Sequence, residues 1–481
     1  MRSLIADNKI VATIFAAALL LRVVNLNIPF LEPFNNYSRQ SMCASVTRNY
    51  YEHGFRLFYP EIDESGAGPS LYNVELPTHS YLMALAYKLV GGVKEWAARS
   101  VSVAFGMGLL LFVYLLVRRA EDELTARWAL LFLSLSPMTV ALSRSIQPDI
   151  TMLFAGTAAV HFFYRYTETK KTAFYISSAL FLFWAVLTRV FALYFFLPVL
   201  YLAWREEGGR LFRRPRYYAY ALFVSLALIW YAQMWQAGRA QPLAYDPYRY
   251  TTAAGSWTLP AKSVFLHLLT LTGSALCLLG LAVPGRGRRF MMAWLASTLF
   301  YLAVLWKTAL IHPYYFLPLG PPLAYFIGRG IERVRSGFGI CRFFCHPLIV
   351  AGIALFFAVN NSYYYRLLYF VPADRMAVVR AGQAVDRAAP KNALVVAAYH
   401  TSPIQLYYTY RHGWALDLEE GGETETIKRI EGYRAAGAAY FVTTELDTLL
   451  RKPELTAYLD GFPRVEEDPG YRVWAIGEQR P

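Results

Sequence analysis

Four short stretches carry residues able to do chemistry. In "RSIQPDITMLF", Asp149 follows Pro148 where the chain has just turned, with Arg144 and Gln147 immediately before it. An acid at a helix start is favoured by the exposed amide groups and the helix dipole, so Asp149 fits a cap as well as a substrate-facing carboxylate. In "YNVELPTHSYLMAL", Glu75 stands two residues before the helix-opening Pro77 and His79 two residues after it. A carboxylate and an imidazole at this spacing could hold a divalent cation, alone or bound to phosphate, or Glu75 could simply cap the next helix. "WKTALIHPYYFLPLGPPLAYF" sets Lys307 and His312 before Tyr314. These cations suit an anionic headgroup, and equally an interfacial lysine with an aromatic belt. The polar stretch after the first apolar segment supplies Arg39, Gln40, Arg48 and Asn49. On a helix the two arginines would lie about 13 Å apart and on roughly one face, an arrangement for phosphate or for lipid headgroups.

The elements that must position these residues are apolar and numerous. The chain has 481 residues, 56% hydrophobic and 17% charged, with a mean hydropathy of +0.30, which excludes an ordinary soluble globular protein. Candidate spans fall at about 10–28, 99–117, 128–143, 150–165, 172–187, 190–204, 217–234, 263–283, 290–309, 314–328 and 346–363, about eleven by the length a bilayer demands. With the amino terminus inside, Arg118, Arg119 and Arg127, then Arg165, Lys170 and Lys171, then "REEGGRLFRRPR", "GRGRR" and "GRGIERVRSGFGICR" all fall on the inner side, as resistance of Lys and Arg to translocation requires. The same rule lays "HSYLMALAYKLV" (79–90) on the outer face as an amphipathic helix. The placement of the basic residues, more than the net charge of +14, therefore orients the chain in a membrane and gives no reason to expect nucleic acid. A transporter or flippase would carry ionisable residues near mid-membrane on discontinuous helices, and Arg189, between two short spans, is the residue that fits that reading.

Residues 1–364 form the expected membrane domain, with a large first outer loop over 29–98 and a shorter one over 235–262. Residues 365–481 change character: "NALVVAAY", "AAYFVTT" and "YRVWAI" look like strands, and "TETIKRIEGYRAAG" like a helix closed by Gly437. The expected fold is mainly α: a polytopic membrane protein with outer juxtamembrane helices and a small C-terminal α/β domain. Cys341 and Cys345 in "CRFFCH" have no second ligand pair to complete a metal site.

The ordered set "RQSMCASVTRNYYEHGFRLFYPEID", "ELPTHSYLMALAYKLVGGVKEWAARSVS", "LSPMTVALSRSIQPDITMLF" and "HPYYFLPLGPPLA" resembles the GT-C superfamily of membrane glycosyltransferases, in its bacterial branch similar to protein mannosyltransferases and the lipid A aminoarabinose transferase. The resemblance runs over roughly residues 10 to 330. It implies an outer-face cavity and inverting transfer of a sugar from a polyprenyl-phosphate donor to a lipid, glycan or protein acceptor, in a bacterial inner membrane with the tail domain in the periplasm. It also implies a carboxylate base near the first outer loop. Here 34–51 contains no Asp or Glu, and Met42 stands where similar sequences often read Asp. The acids left for catalysis are Asp149, Glu75 and Glu32, with Arg39, Gln40, Arg48, Arg144, Lys307, His312 and Tyr314 binding substrate. A divalent cation on Glu75 and His79 is the only cofactor considered. Two rival functions are a flippase for a lipid-linked saccharide and a non-catalytic glycolipid-binding relative.

Overall fold

The computed structural model describes residues 2–31, 37–64, 66–68, 70–72, 75–236, 257–337, 362–400 and 402–477. The chain divides into two compact units. The first gathers Met1–Leu26, Asn73–His79 and Arg99–Arg366; the second gathers Asn27–Tyr72, Ser80–Ala98 and Leu367–Pro481. Most of the first outer loop, within 27–72 and 80–98, thus falls in the same unit as the tail, while 73–79 falls in the first unit.

The first unit is helical. Its segments follow the expected spans from the Arg2–Val23 helix to the Gly320–Gly337 helix, but many are broken. Pro137 separates Glu123–Leu135 from Pro137–Leu142, and a 3-10 turn over Val190–Phe195 precedes the Phe196–Glu207 helix. Among the described residues one helix, Glu95–Ala120, is long and apolar enough to cross a membrane unaided. Pro215–Ser225 with Leu228–Gln236 and Thr258–Leu268 with Thr270–Ala282 pass only as pairs bent by 41° and 85°. The count of about eleven spans is therefore not what uninterrupted helices give, because prolines and 3-10 turns cut the apolar runs. The last expected span, 346–363, lies almost wholly outside the described residues.

Two backbones meet closely in this unit. A Cβ added at Gly280 would stand 1.7 Å from the Phe326 carbonyl oxygen, and one at Gly330 would stand 2.0 Å from that of Leu276. One glycine on each helix lets helices Thr270–Ala282 and Gly320–Gly337 touch main chain to main chain, as small residues do in apolar bundles.

The second unit holds the Tyr37–His53 helix, a short antiparallel pair β1 (Glu61–Ile62) and β2 (Ser70–Leu71), and a five-stranded sheet. Its strands are β3 (Leu394–Ala398), β4 (Gly413–Leu416), β5 (Ala438–Thr443), β6 (Arg464–Asp468) and β7 (Tyr471–Ala475), in the order β4-β3-β5-β7-β6. β4, β3 and β5 are parallel; β7 and β6 are antiparallel additions. Alternation along β3 sends Val396 and Ala398 to one core with Ile430 and Leu459, and Val395 and Ala397 to the other with Ala381 and Leu406. Both sheet faces are covered, as apolar parallel strands require. Gly437, with φ +100°, follows the Glu423–Ala435 helix and turns the chain into β5.

Candidate active site

In the first unit three distant segments converge on one guanidinium. Arg189 Nη2 lies 3.2 Å from Asp149 Oδ1, and its Nη1 lies 3.7 Å from Glu75 Oε2. All three side chains are at most 6% exposed. Local structure explains each placement. The Thr188 hydroxyl donates to the Trp184 carbonyl, and Arg189 itself is extended at φ −153°, so the Thr172–Thr188 helix stops there. Asp149 occupies the first turn of the Asp149–Thr169 helix, whose amino-terminal dipole favours an acid. Glu75 precedes Pro77, and Trp184 Nε1 donates to Thr78 Oγ1 at 3.1 Å, lodging this segment on the helix that ends at Arg189.

Aromatic rings line the same arginine. Its guanidinium carbon stands 5.7 Å from the Tyr314 ring centre, 5.6 Å from that of Tyr315 and 5.9 Å from that of Phe191, within cation–π reach. His312 stacks on Tyr314 at 5.3 Å and 19°. The expected His312–Tyr314 pair therefore belongs to this cluster, while Lys307 is exposed on the Trp306–Ala309 turn. Gln147, two residues before Asp149, is 1% exposed, and neither amide atom has a hydrogen-bond partner among the described residues. A buried amide left so is uncommon and suits a site awaiting a polar ligand.

Other candidates are placed differently. His79 is closed on both nitrogens: Ser102 Oγ donates to the Ser145 carbonyl and so accepts from Nε2–H at 3.3 Å, while the Thr151 hydroxyl stands 2.7 Å from Nδ1. Burial pushes its pKa down to about 3, so the imidazole is neutral. The expected Glu75–His79 cation pair is thus corrected, since ligation would break one of these bonds. Among the described residues no group of three His, Cys, Asp or Glu could hold a metal ion. Arg144 is also corrected: its Nη1 donates to the carbonyls of Arg22 at 2.9 Å and Val24 at 2.5 Å, closing the end of the Arg2–Val23 helix. That satisfies carbonyls a helix end leaves unbonded.

Arg39, Gln40 and Arg48 lie on the Tyr37–His53 helix of the second unit. Nine residues at about 100° each bring the two arginines to opposite sides of a helix, so the expectation of one shared face fails. Arg39 lies over the Tyr72 ring at 5.3 Å and Gln40 is fully buried. Arg48 pairs with buried Asp63, donates to the Tyr407 carbonyl at 2.8 Å and sits over the rings of Tyr407 and Tyr410. Phosphate binding by Arg48 is thereby replaced by an interior ion pair. Glu32 lies outside the described residues.

With this geometry in hand, solved structures show what it is built on. ArnT from Cupriavidus metallidurans, bound to undecaprenyl phosphate, superposes with a TM-score of 0.69 at 14% identity over 98% of each chain. The chain has the GT-C fold. The oligosaccharyltransferase AglB from Archaeoglobus fulgidus, in complex with an inhibitory peptide and a dolichol-phosphate, matches with a TM-score of 0.54 at 11% identity, over 95% of this chain and 72% of that one. The arabinofuranosyltransferase AftD from Mycobacteria matches with a TM-score of 0.54 at 12% identity, over 98% of this chain and 40% of that one. At such identities the shared property is the GT-C fold. The family model described as dolichyl-phosphate-mannose-protein mannosyltransferase matches residues 74–235, about a third of the chain. No curated protein sequence matches. The matched third of the chain contains Glu75, Asp149 and Arg189 together. Sequence reading noted Arg189 only as a lone charge between spans, and that isolation was the signal available for it.

Proposed function

We propose that the protein is a membrane glycosyltransferase that moves a sugar from a polyprenyl-phosphate donor to an acceptor at the outer face of a bacterial inner membrane. The observation that carries this reading is the meeting of Asp149 and Glu75 on Arg189, under tyrosine rings, at one end of a helix pair. The 21-residue Asp149–Thr169 helix is about 30 Å long. Its far end carries Arg165, Lys170 and Lys171, so acids and basic loop residues stand at opposite ends, as an outer site and an inner loop would.

In the proposed reaction an acceptor hydroxyl attacks the anomeric carbon from the side opposite the phosphate, the C–O bond to phosphate breaks, and the sugar's configuration inverts. Asp149 takes the hydroxyl proton as general base. Arg189, with five donors of which the two carboxylates use few, answers the negative charge that develops on the departing polyprenyl phosphate. Glu75 holds the guanidinium in place from the other side. Gln147 and Tyr314 contribute hydrogen bonds to the sugar or its phosphate, and the tail domain selects the acceptor.

The test compares envelope glycolipids and glycans by mass spectrometry in cells carrying the parent gene, Asp149→Asn, Glu75→Gln or no gene. A general base contributes about 10²–10⁴ in rate, so Asp149→Asn should resemble the deletion while Glu75→Gln keeps partial transfer. Full product from both variants would refute the assignment of the two acids. Donor lipid moved between leaflets without any glycosidic bond formed would favour the flippase reading.

A further inference from the structure

The first unit carries a second feature, a groove along two helices whose basic end lies away from Arg189. The Phe196–Glu207 helix and the Arg288–Val304 helix run antiparallel: Ser297 donates to the Tyr194 carbonyl near one end, and Tyr201 meets Phe290 at 6.2 Å near the other. Between them lies a groove of about 550 Å³. Leu200, Trp204 and Phe212 form one wall, and Ala293, Ala296 and Phe300 the other. The small side chains of Ala293 and Ala296 make the depression; the large ones are exposed, Phe212 and Phe300 each by 62%.

One end of this apolar groove is basic. Phe212 sits in the 3-10 turn Gly208–Arg213, between Arg210 and Arg213. Arg289 lies four residues before Ala293, on the same face of its helix and one turn nearer that end. Neighbouring charges are partly compensated: Arg214 and Arg216 share Glu207, and Lys170 pairs with Glu206. Arg205 lies over the Tyr164 ring at 4.8 Å. Among the described residues no hydrogen bond, ion pair or ring engages the guanidinium of Arg210, Arg213 or Arg289, all exposed. Lys171 and Arg333 are likewise exposed without an acid partner among the described residues, but Arg210, Arg213 and Arg289 are the three that border the groove.

We propose that this groove binds an anionic phospholipid of the bilayer, with an acyl chain between the two helices and its phosphate on Arg210, Arg213 and Arg289. Basic pockets beside membrane helices, on the side facing the cytoplasm, recognise such headgroups, and an exposed apolar trough leading from them takes the tail. The site is separate from the carboxylate cluster and holds a structural or regulatory lipid. The proposal rests on the membrane placement argued above, and its test reads lipid binding instead of sugar transfer, so each can fail alone.

The full chain in detergent is mixed with palmitoyl-oleoyl phosphatidylglycerol or with phosphatidylcholine of the same chains, and retained adducts are counted by native mass spectrometry. Phosphatidylglycerol should be held in preference, and Arg210→Gln/Arg213→Gln/Arg289→Gln should reduce that preference about tenfold or more. Ala296→Phe, which fills the trough, should lower retention of both lipids. The three arginines are exposed, so circular dichroism of the triple variant should match the parent. Equal retention by parent and triple variant overturns the proposal. So does undecaprenyl phosphate outcompeting phosphatidylglycerol through the same three arginines, since that would give the groove to the donor's tail.

Discussion

Arg189 and Asp149 stand 3.2 Å apart though forty residues of chain separate them, and the same guanidinium reaches toward Glu75. A buried cation between two buried acids is held in place by mutual need. Arg189→Gln leaves two adjacent carboxylates uncompensated and should cost about 3–5 kcal/mol. Thermal unfolding in detergent would show the drop, and Asp149→Asn/Glu75→Gln/Arg189→Gln should regain most of it. An unchanged midpoint for the single variant would contradict the pairing.

Arg48 should behave as a stability residue. Arg48→Met removes the cation that pairs with buried Asp63, a carboxylate that also accepts from Asn49 Nδ2 at 3.2 Å. Protease susceptibility of the tail unit should rise, with a loss of about 3–5 kcal/mol, while Arg48→Met/Asp63→Leu recovers part of it. A donor-lipid KM that rises with no change in proteolysis would restore the phosphate-binding role.

The tail should loosen in acid through Asp386. Partial burial works against its ionisation, but Lys391 and the buried Arg411 outweigh that and hold its carboxyl below the usual value. A depressed folded pKa means the unfolded chain takes up the proton first. The contribution is therefore complete above the ordinary value of about 4 and lost as pH falls through the depressed one. The stability difference between parent and Asp386→Asn, measured by thermal shift, should be present at neutral pH and vanish toward strongly acid pH. A difference that persists unchanged in acid would remove the ion-pair explanation.

Gly280 and Gly330 permit a main-chain contact between two helices of the first unit. Gly280→Ala meets a carbonyl that cannot swing aside, so it should cost at least about 1–3 kcal/mol. Folded yield and thermal midpoint in detergent would report it. The same substitution at half-buried Gly92, where nothing stands within 4 Å of an added Cβ, should be silent.

Sequence by itself determined the class. Apolar runs with basic residues on alternate connections, and a tail of alternating apolar strands around an amphipathic helix, follow from local composition and periodicity, which hydrophobic burial enforces wherever the chain goes. It also supplied Asp149, Glu75, His312 and Tyr314, because charged or polar groups at the ends of apolar segments stand out. What each cation would face was decided only by tertiary structure. Arg48, Arg144 and Arg189 are chemically alike, yet one closes an interior ion pair, one caps a helix and one joins two acids. A guanidinium takes whatever acceptors folding brings within about 3 Å, and those acceptors lie up to several hundred residues away, as with Arg48 and the Tyr407 carbonyl. Local sequence holds no record of that distance, so the positions of the arginines were legible and their partners were not.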